Sequence, residues 1–298
     1  NTGWMPGDIK GAFLSDTDDT DLVGSGELVT NGTFDTDVSG WTALGDETLS
    51  SVSGRLRITC GADGSGGGIS GAYQTITGLT VGQEYTLTCG SRYIGTNGAV
   101  GVRVTTSVGG GALVQFYGFS NASNEIGTFV ATTTTLYVQV YGGYGTSGTY
   151  VEADNISVKL ADADRSVNNN GLIVNGTITR TAVATGADLV AYSGFSAANY
   201  LEQPYNSDLD FGTGDFSVMG WVKPDATGGR TFISYEGAEG WQLDHYVNSL
   251  RFWEYTPGGG NRALCSAAAT TNLQFFCVVV SGGFASMYRD GVLVSSPI

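Results

Sequence analysis

The chain has 298 residues, 13 basic and 28 acidic, for a formal net charge of −15. That charge repels phosphate backbones and anionic lipid surfaces, which argues against nucleic acid as a partner, and no apolar run is long enough for membrane insertion. Forty-seven glycines against five prolines, with 41% hydrophobic and 11% aromatic residues, exclude a collagen repeat and a disordered chain and suit short strands joined by tight turns.

Residues 1–26 read as an extended N-terminal arm. An apolar stretch from Trp4 to Leu14 precedes the acidic run Asp16 to Asp21. That run lacks the sixth-position glycine and flanking helices of a calcium-binding loop, so it reads as a solvated tail.

From Glu27 onward, short alternating segments follow one another. Strands are predicted over residues 54–59, 72–76, 84–89, 99–105, 112–119, 135–141 and 155–160. Regular spacing with turn residues between strands is the pattern of a β-sandwich or barrel. The alternation places Leu56, Ile58 and Cys60 on one face, and Tyr85, Leu87 and Cys89 on another. Both thiols then point into a core as small hydrophobes, the alternative being a disulfide.

Leu172-Ile173-Val174 and Thr177-Ile178-Thr179 flank Asn175-Gly176, a strong hairpin signal that predicts a paired opening to a second domain. Further strands are predicted over 200–203, 216–222, 231–235, 240–244, 250–254, 273–280, 285–289 and 292–294. The sequence stops directly after the last of these, so a longer natural chain is expected.

Two stretches resemble known families. Leu28-Val29-Thr30-Asn31-Gly32-Thr33-Phe34 with Gly40-Trp41, closing in Asp154-Asn155-Ile156-Ser157-Val158, is similar to the jelly-roll carbohydrate-binding modules of bacterial polysaccharide hydrolases. Residues 208–223, Asp-Leu-Asp-Phe-Gly-Thr-Gly-Asp-Phe-Ser-Val-Met-Gly-Trp-Val-Lys, resemble the signature strands of laminin-G-like, concanavalin A-type lectin domains. Residues 287–294, Met-Tyr-Arg-Asp-Gly-Val-Leu-Val, resemble the late hairpin of the same family. The expected fold is therefore all-β: two tandem β-sandwiches behind the arm. A jelly roll covers 27–160, and an incomplete laminin-G-like sandwich covers 161–298.

The pairing of these modules, with the arm and the run Asp164 to Gly171, resembles virion proteins of marine tailed bacteriophages. That resemblance implies a place on the virion surface, in tail or capsid fibres, facing the extracellular medium. Its partners would be other virion proteins or copies of the same chain in a homo-oligomer, together with host-cell glycans. The alternatives are a binding module of a secreted polysaccharide-degrading enzyme and a purely architectural subunit.

Catalysis finds little support. Glu236, Glu239 and Asp244 lack the carboxylate order of the glucanases that share this sandwich, and a lone histidine, His245, reads as a turn or surface residue. Sugar binding needs aromatic faces with amide or carboxylate groups nearby. Trp41 and Trp221 lie inside the family motifs and are expected in the core. The glycan candidates are Trp241, Tyr246, Trp253 and Tyr255 with Asp244, Asn248 and Asn261, and in the first module Tyr117, Tyr141, Tyr144 and Tyr150. Each has packing as its alternative. The jelly-roll resemblance also implies one structural calcium, with Asp154, Glu27 and the backbone near Asn31 as ligands; the alternative is that Asp154 caps a turn.

Overall fold

Period-two alternation governs almost every segment, and the computed structural model is built of strands. It describes residues 9–13, 17–62, 71–142, 146–166, 168, 171–206, 209–211, 214–227, 229–235, 240–256 and 260–295, with the backbone alone at 255–256 and 260–263. None of the described residues forms a helix long and apolar enough to cross a membrane. The chain divides into two compact units, Asn1–Asn206 and Ser207–Ile298.

In the first unit the strands are β1 (Leu22–Val23), β2 (Thr42–Ala43), β3 (Thr48–Ser51), β4 (Leu56–Thr59), β5 (Gly71–Thr77), β6 (Glu84–Tyr93), β7 (Val100–Thr105) and β8 (Ala112–Gly118). They continue with β9 (Ala122–Val130), β10 (Thr135–Gly142), β11 (Tyr150–Asp162), β12 (Leu172–Asn175), β13 (Thr177–Ala182), β14 (Val190–Ser193) and β15 (Tyr200–Glu202). One sheet has the order β2-β5-β10-β7-β8. The facing sheet is organised around β11, which pairs with β4, β6 and β12, while β9 continues from β6. Between them lies a core that includes Leu56, Ile58, Leu87, Val102, Leu136, Val138 and Val158, all essentially solvent-free.

The thiols of Cys60 and Cys89 are free and buried, as their alternation predicts. Trp41 is also buried, tilted against Phe34 at 5.4 Å.

Asn175-Gly176 does not make the predicted hairpin. β12 pairs with β11 and β15, whereas β13 pairs with β1 and β14. Gly176, at φ 67°, turns the chain out of one sheet and into another. A side chain there would meet Ala198 O at 2.4 Å and Asn199 Oδ1 at 2.2 Å, so only glycine fits the corner. Because β12 and β15 extend the sheet of β11, the unit boundary falls after Asn206, later than the sequence-based division at residue 160.

A half-buried carboxyl in this unit has a raised pKa. Glu84 packs against Gly171, and its Oε1 is buried without a hydrogen-bond partner. Burial, then the nearby Asp162 and Asp164 carboxylates, push its pKa up to about 7. Asp164 itself accepts from the amides of Ala12 and Ser166, both at 2.8 Å. At pH 4 both folded and unfolded chains hold the Glu84 proton. As pH rises from 4.5 towards 7, only the unfolded chain releases it, so stability falls across that window and stays reduced above it. Glu84→Gln is therefore expected to raise the melting temperature at pH 8 by roughly 3 °C, allowing for a partly exposed side chain, and to leave it unchanged at pH 4. Thermal unfolding at the two pH values checks this, and an equal shift at both would refute it.

The second unit contains β16 (Phe216–Val222), β17 (Arg230–Tyr235), β18 (Trp241–Tyr246), β19 (Ser249–Thr256), β20 (Gly260–Ala268), β21 (Gln274–Ser281), β22 (Phe284–Arg289) and β23 (Val292–Ser295). Its two sheets run β16-β21-β22-β23 and β17-β18-β19-β20, joined by a core that includes Leu243, Leu250, Phe252, Val278 and Met287.

Two sequence expectations fail here. Trp221 is 69% exposed. Phe216, Val218 and Val222 pack on the core, which leaves Met219 and Trp221 on the outer face. His245 is fully buried within β18, edge-on to Phe232 at 4.9 Å, with Nδ1 3.2 Å from Ala226 O. It shares the inward side of β18 with Trp241 and Leu243.

Candidate functional site

The outer face of the sheet β2-β5-β10-β7-β8 is built by strict alternation. In β7 and β10, Val100, Val102, Val104, Leu136, Val138 and Val140 point to the core. Gly101, Arg103, Thr105, Tyr137, Gln139 and Tyr141 therefore take the other side. Register adds Tyr73 from β5, opposite Gln139, and Gln115 and Tyr117 from β8, opposite Arg103 and Gly101.

The floor of this face is polar and satisfied. Arg103 Nε and Nη2 donate to Gln139 Oε1 at 3.1 and 2.9 Å. Gln139 Nε2 donates to Thr105 Oγ1 at 2.8 Å. All three residues are buried, so the network is fixed by packing as well as by its bonds.

Tyrosines stand over that floor. Gly101 sits in register between Tyr141 on one side and Tyr117 on the other. With no side chain between them, the two rings stack at 5.7 Å and 5°. A Cβ on Gly101 would come within 2.3 Å of the Tyr141 ring. The Arg103 guanidinium lies 4.5 Å from the same ring, and burial raises the Tyr141 hydroxyl pKa. Tyr73 and Tyr137 meet edge to face at 6.1 Å.

At the end of the same unit lies a cleft of about 560 Å3, lined by residues that include Tyr93, Phe119, Asn121, Tyr150 and Glu152. Two guanidinium groups brace its tyrosines: Arg55 lies 4.1 Å over Tyr93, and Arg57 4.1 Å over Tyr150. Both arginines pair with Glu152, Arg57 through Nε at 2.8 Å and Arg55 through Nη1 at 3.5 Å.

Of the first-module candidates, Tyr117 and Tyr141 belong to the tyrosine face and Tyr150 to the cleft; Tyr144 lies outside the described residues. Tyr73, Tyr93, Tyr137, Phe119, Arg103, Thr105 and Gln139 were missed by sequence reasoning. The available signal was Gln115, Tyr117 and Phe119 at alternate positions beside Gly118.

In the second unit, Trp241 packs on Phe216 and Phe252 in the core. Asp244 is buried and accepts from Arg251 Nε and Nη2 at 3.0 and 2.7 Å, Gln242 Nε2 at 2.9 Å and Trp253 Nε1 at 3.1 Å. Arg251 lies 4.2 Å from the ring of Tyr246, which is exposed, and 5.5 Å from that of Trp253, which is buried. Asn248, with Val247, forms the positive-φ turn between β18 and β19, and its Oδ1 accepts from Thr227 Oγ1 at 2.8 Å. Tyr255 and Asn261 face each other in register, but their side chains lie outside the described residues. Glu236 and Glu239 lie outside them altogether.

The residues expected to hold calcium, Glu27, Asn31 and Asp154, are each engaged in hydrogen bonds within the protein. Glu27 Oε1 accepts from the amides of Val29 and Val158, each at 3.0 Å, and its Oε2 accepts from Ser157 Oγ at 2.6 Å. Asn31 Nδ2 donates to Asp37 Oδ1 at 2.9 Å. Asp154, within β11, accepts from the amide of its neighbour Asn155 at 2.7 Å, and burial raises its pKa. Among the described residues no group of three acidic, histidine or cysteine side chains converges.

Residues 195–298 match the family described as the concanavalin A-like lectin/glucanases superfamily, Laminin_G_3. No curated protein matches the chain. Among solved structures, "CBM4 structure and function" is similar at 18% identity and a TM-score of 0.35, over 44% of this chain and 99% of its own. The mannan-recognising carbohydrate-binding module TmCBM27 is similar at 12% and 0.29, over 47% and 98%. The enzymatically active domain of tailspike protein 4 from bacteriophage CBA120 is similar at 13% and 0.32, over 45% of this chain and 21% of its own. Identities and scores this low leave function to be read from the site itself.

Proposed function

We propose that the chain is a glycan-binding surface protein that acts by adhesion rather than catalysis, and that its first unit holds sugar on the tyrosine face. The observation that carries this reading is a set of tyrosines, Tyr73, Tyr137, Tyr141 and Tyr117, fixed over the buried Arg103–Gln139–Thr105 network. Sugar C–H groups stack on such rings, and polar side chains at the rim take the hydroxyls. The lectin-family match over residues 195–298 supports the same class of ligand.

Placement on a phage virion, with other virion proteins or copies of itself as neighbours and host glycans as contacts, rests on the resemblance of the arm and the run Asp164 to Gly171. The same face would serve a secreted polysaccharide-degrading enzyme.

The test is affinity electrophoresis of the chain in gels containing glucomannan, β-glucan, xylan or alginate, with co-sedimentation on whole marine bacteria. Retardation by at least one neutral polysaccharide is expected. Gly101→Val forces Tyr141 off its stack and is expected to weaken that binding roughly tenfold while the circular dichroism spectrum is retained. Absence of binding to every polysaccharide and every cell would leave an architectural subunit. Binding to cells lacking any known hydrolase substrate would favour the virion over the enzyme.

A further inference from the structure

β16 is an unguarded sheet edge. Among the described residues it pairs with β21 alone, from Phe216 opposite Val280 to Val222 opposite Gln274, with no break in register. Its free side offers a row of backbone amides and carbonyls, a template for an added strand. Native edges are commonly blunted by bulges, charges or proline. The other outer strands of this unit follow that rule. β17 carries Arg230 and a register shift between Thr231 and Ile233. β23 pairs with β22 across a shift between Met287 and Tyr288, and the Ser266 amide of β20 donates to Ser295 Oγ of β23 at 3.2 Å. β16, Phe-Ser-Val-Met-Gly-Trp-Val, has none of these devices.

The strand is also complementary to itself. Asp215 precedes it and Lys223 follows it, both exposed. Asp215 is held in place, accepting from Ser281 Oγ at 2.7 Å and the Gly282 amide at 2.8 Å. Laid antiparallel against a second copy with Met219 opposite Met219, Asp215 faces Lys223 at both ends. Ser217 then faces Trp221 and Val218 faces Gly220, so a small residue meets each bulkier one. The two sides of the sheet are respected as well. Ser217, Met219 and Trp221 are exposed on the outer side, while Phe216, Val218 and Val222 pack on the core.

We propose that two copies of this chain join by antiparallel β16–β16 pairing about a two-fold axis at Met219. The partner is a second copy because the charges and side-chain sizes of the edge match their own reversal. The pairing merges two four-stranded sheets into one, with the Trp221–Phe275 pair of each copy on its outer face. A single strand pair makes a small interface, so an affinity on the order of micromolar is expected. None of this depends on the ligand of the first unit.

The test is sedimentation velocity of the whole chain across the micromolar range, where a monomer–dimer equilibrium is expected. Met219→Lys sets like charges opposite each other on the axis. It should weaken association about tenfold or more and keep the melting temperature, since Met219 is exposed. Lys223→Glu should weaken association too. Leu293→Lys, on the outer face but on the far strand β23, should leave it unchanged. Met219 lies beside Cys277 in register, so crosslinking is read in a Cys277→Ser background. There, Met219→Cys should join copies through a disulfide when treated with diamide, and Ser217→Cys should not, because residue 217 faces residue 221. A monomer at every concentration, or a dimer untouched by Met219→Lys, would overturn the proposal. Loss of the dimer in Leu293→Lys would mean stacked faces in place of paired edges and would overturn it as well.

Discussion

Glu125→Ala is expected to destabilise the first unit by about 3 kcal/mol or more, because it strands a buried guanidinium. Arg92 is 5% exposed. Its Nε donates to Glu125 Oε2, its Nη2 to Glu125 Oε1 at 2.7 Å and its Nη1 to the Val100 carbonyl at 3.0 Å. An arginine comes to face inward because alternation slips midway along β6. Tyr85, Leu87 and Cys89 are buried, and then Arg92 is. The slip occurs where Gly90 packs against Asn155, itself at φ 53°. Guanidinium chloride unfolding of the variant should show the loss as a lower midpoint. The double variant Arg92→Leu/Glu125→Leu should regain most of it, since a hydrophobic pair can replace a buried ion pair at little cost. A single variant as stable as the parent would mean that water reaches Arg92.

Asp244→Ala carries the second large effect, in the other unit. Removing this carboxylate breaks four hydrogen bonds: two from Arg251 and one each from Gln242 and Trp253. The Trp253 indole is buried and cannot turn to water, whereas Arg251 is partly exposed and can. A loss of about 2 kcal/mol is therefore expected, with Asp244→Asn intermediate. Thermal unfolding followed by tryptophan fluorescence reads it. If Asp244→Ala kept its melting temperature but lost affinity for polysaccharide, Asp244 would be a ligand-binding residue and not a structural one.

Much of the fold was legible in the sequence because strand patterning is local. The segment predicted over 216–222 coincides with β16, and those over 72–76 and 135–141 fall within β5 and β10. β9 and β20 went unseen. Ala122–Val130 opens with four polar or small residues, and Gly260–Ala268 is rich in small ones, so neither alternates cleanly. The hairpin at Asn175-Gly176 looked right because a turn dipeptide reports a bend and not what the flanking strands pair with.

The candidate site was harder to read because it is made by register. Nothing in the sequence puts Gly101 between Tyr117 and Tyr141, since the three lie on separate strands joined only by the sheet. Trp221 and His245 were misplaced for a related reason. A motif fixes the strand, but the burial of its neighbours fixes which side of the strand a residue takes.

The corner at Gly176 also sets the path of mechanical load. Within the first unit, β1 is the first strand and β15 the last. β1 is bonded to β13 and β15 to β12, and β13 and β12 are covalently joined through Gly176. Tension applied between β1 and β15 therefore runs β1 to β13, around the glycine and across β12 to β15. The tyrosine face and the sheet pairs that shape it lie off this line, so tension applied between β1 and β15 is expected to strain these short pairings before it deforms that face.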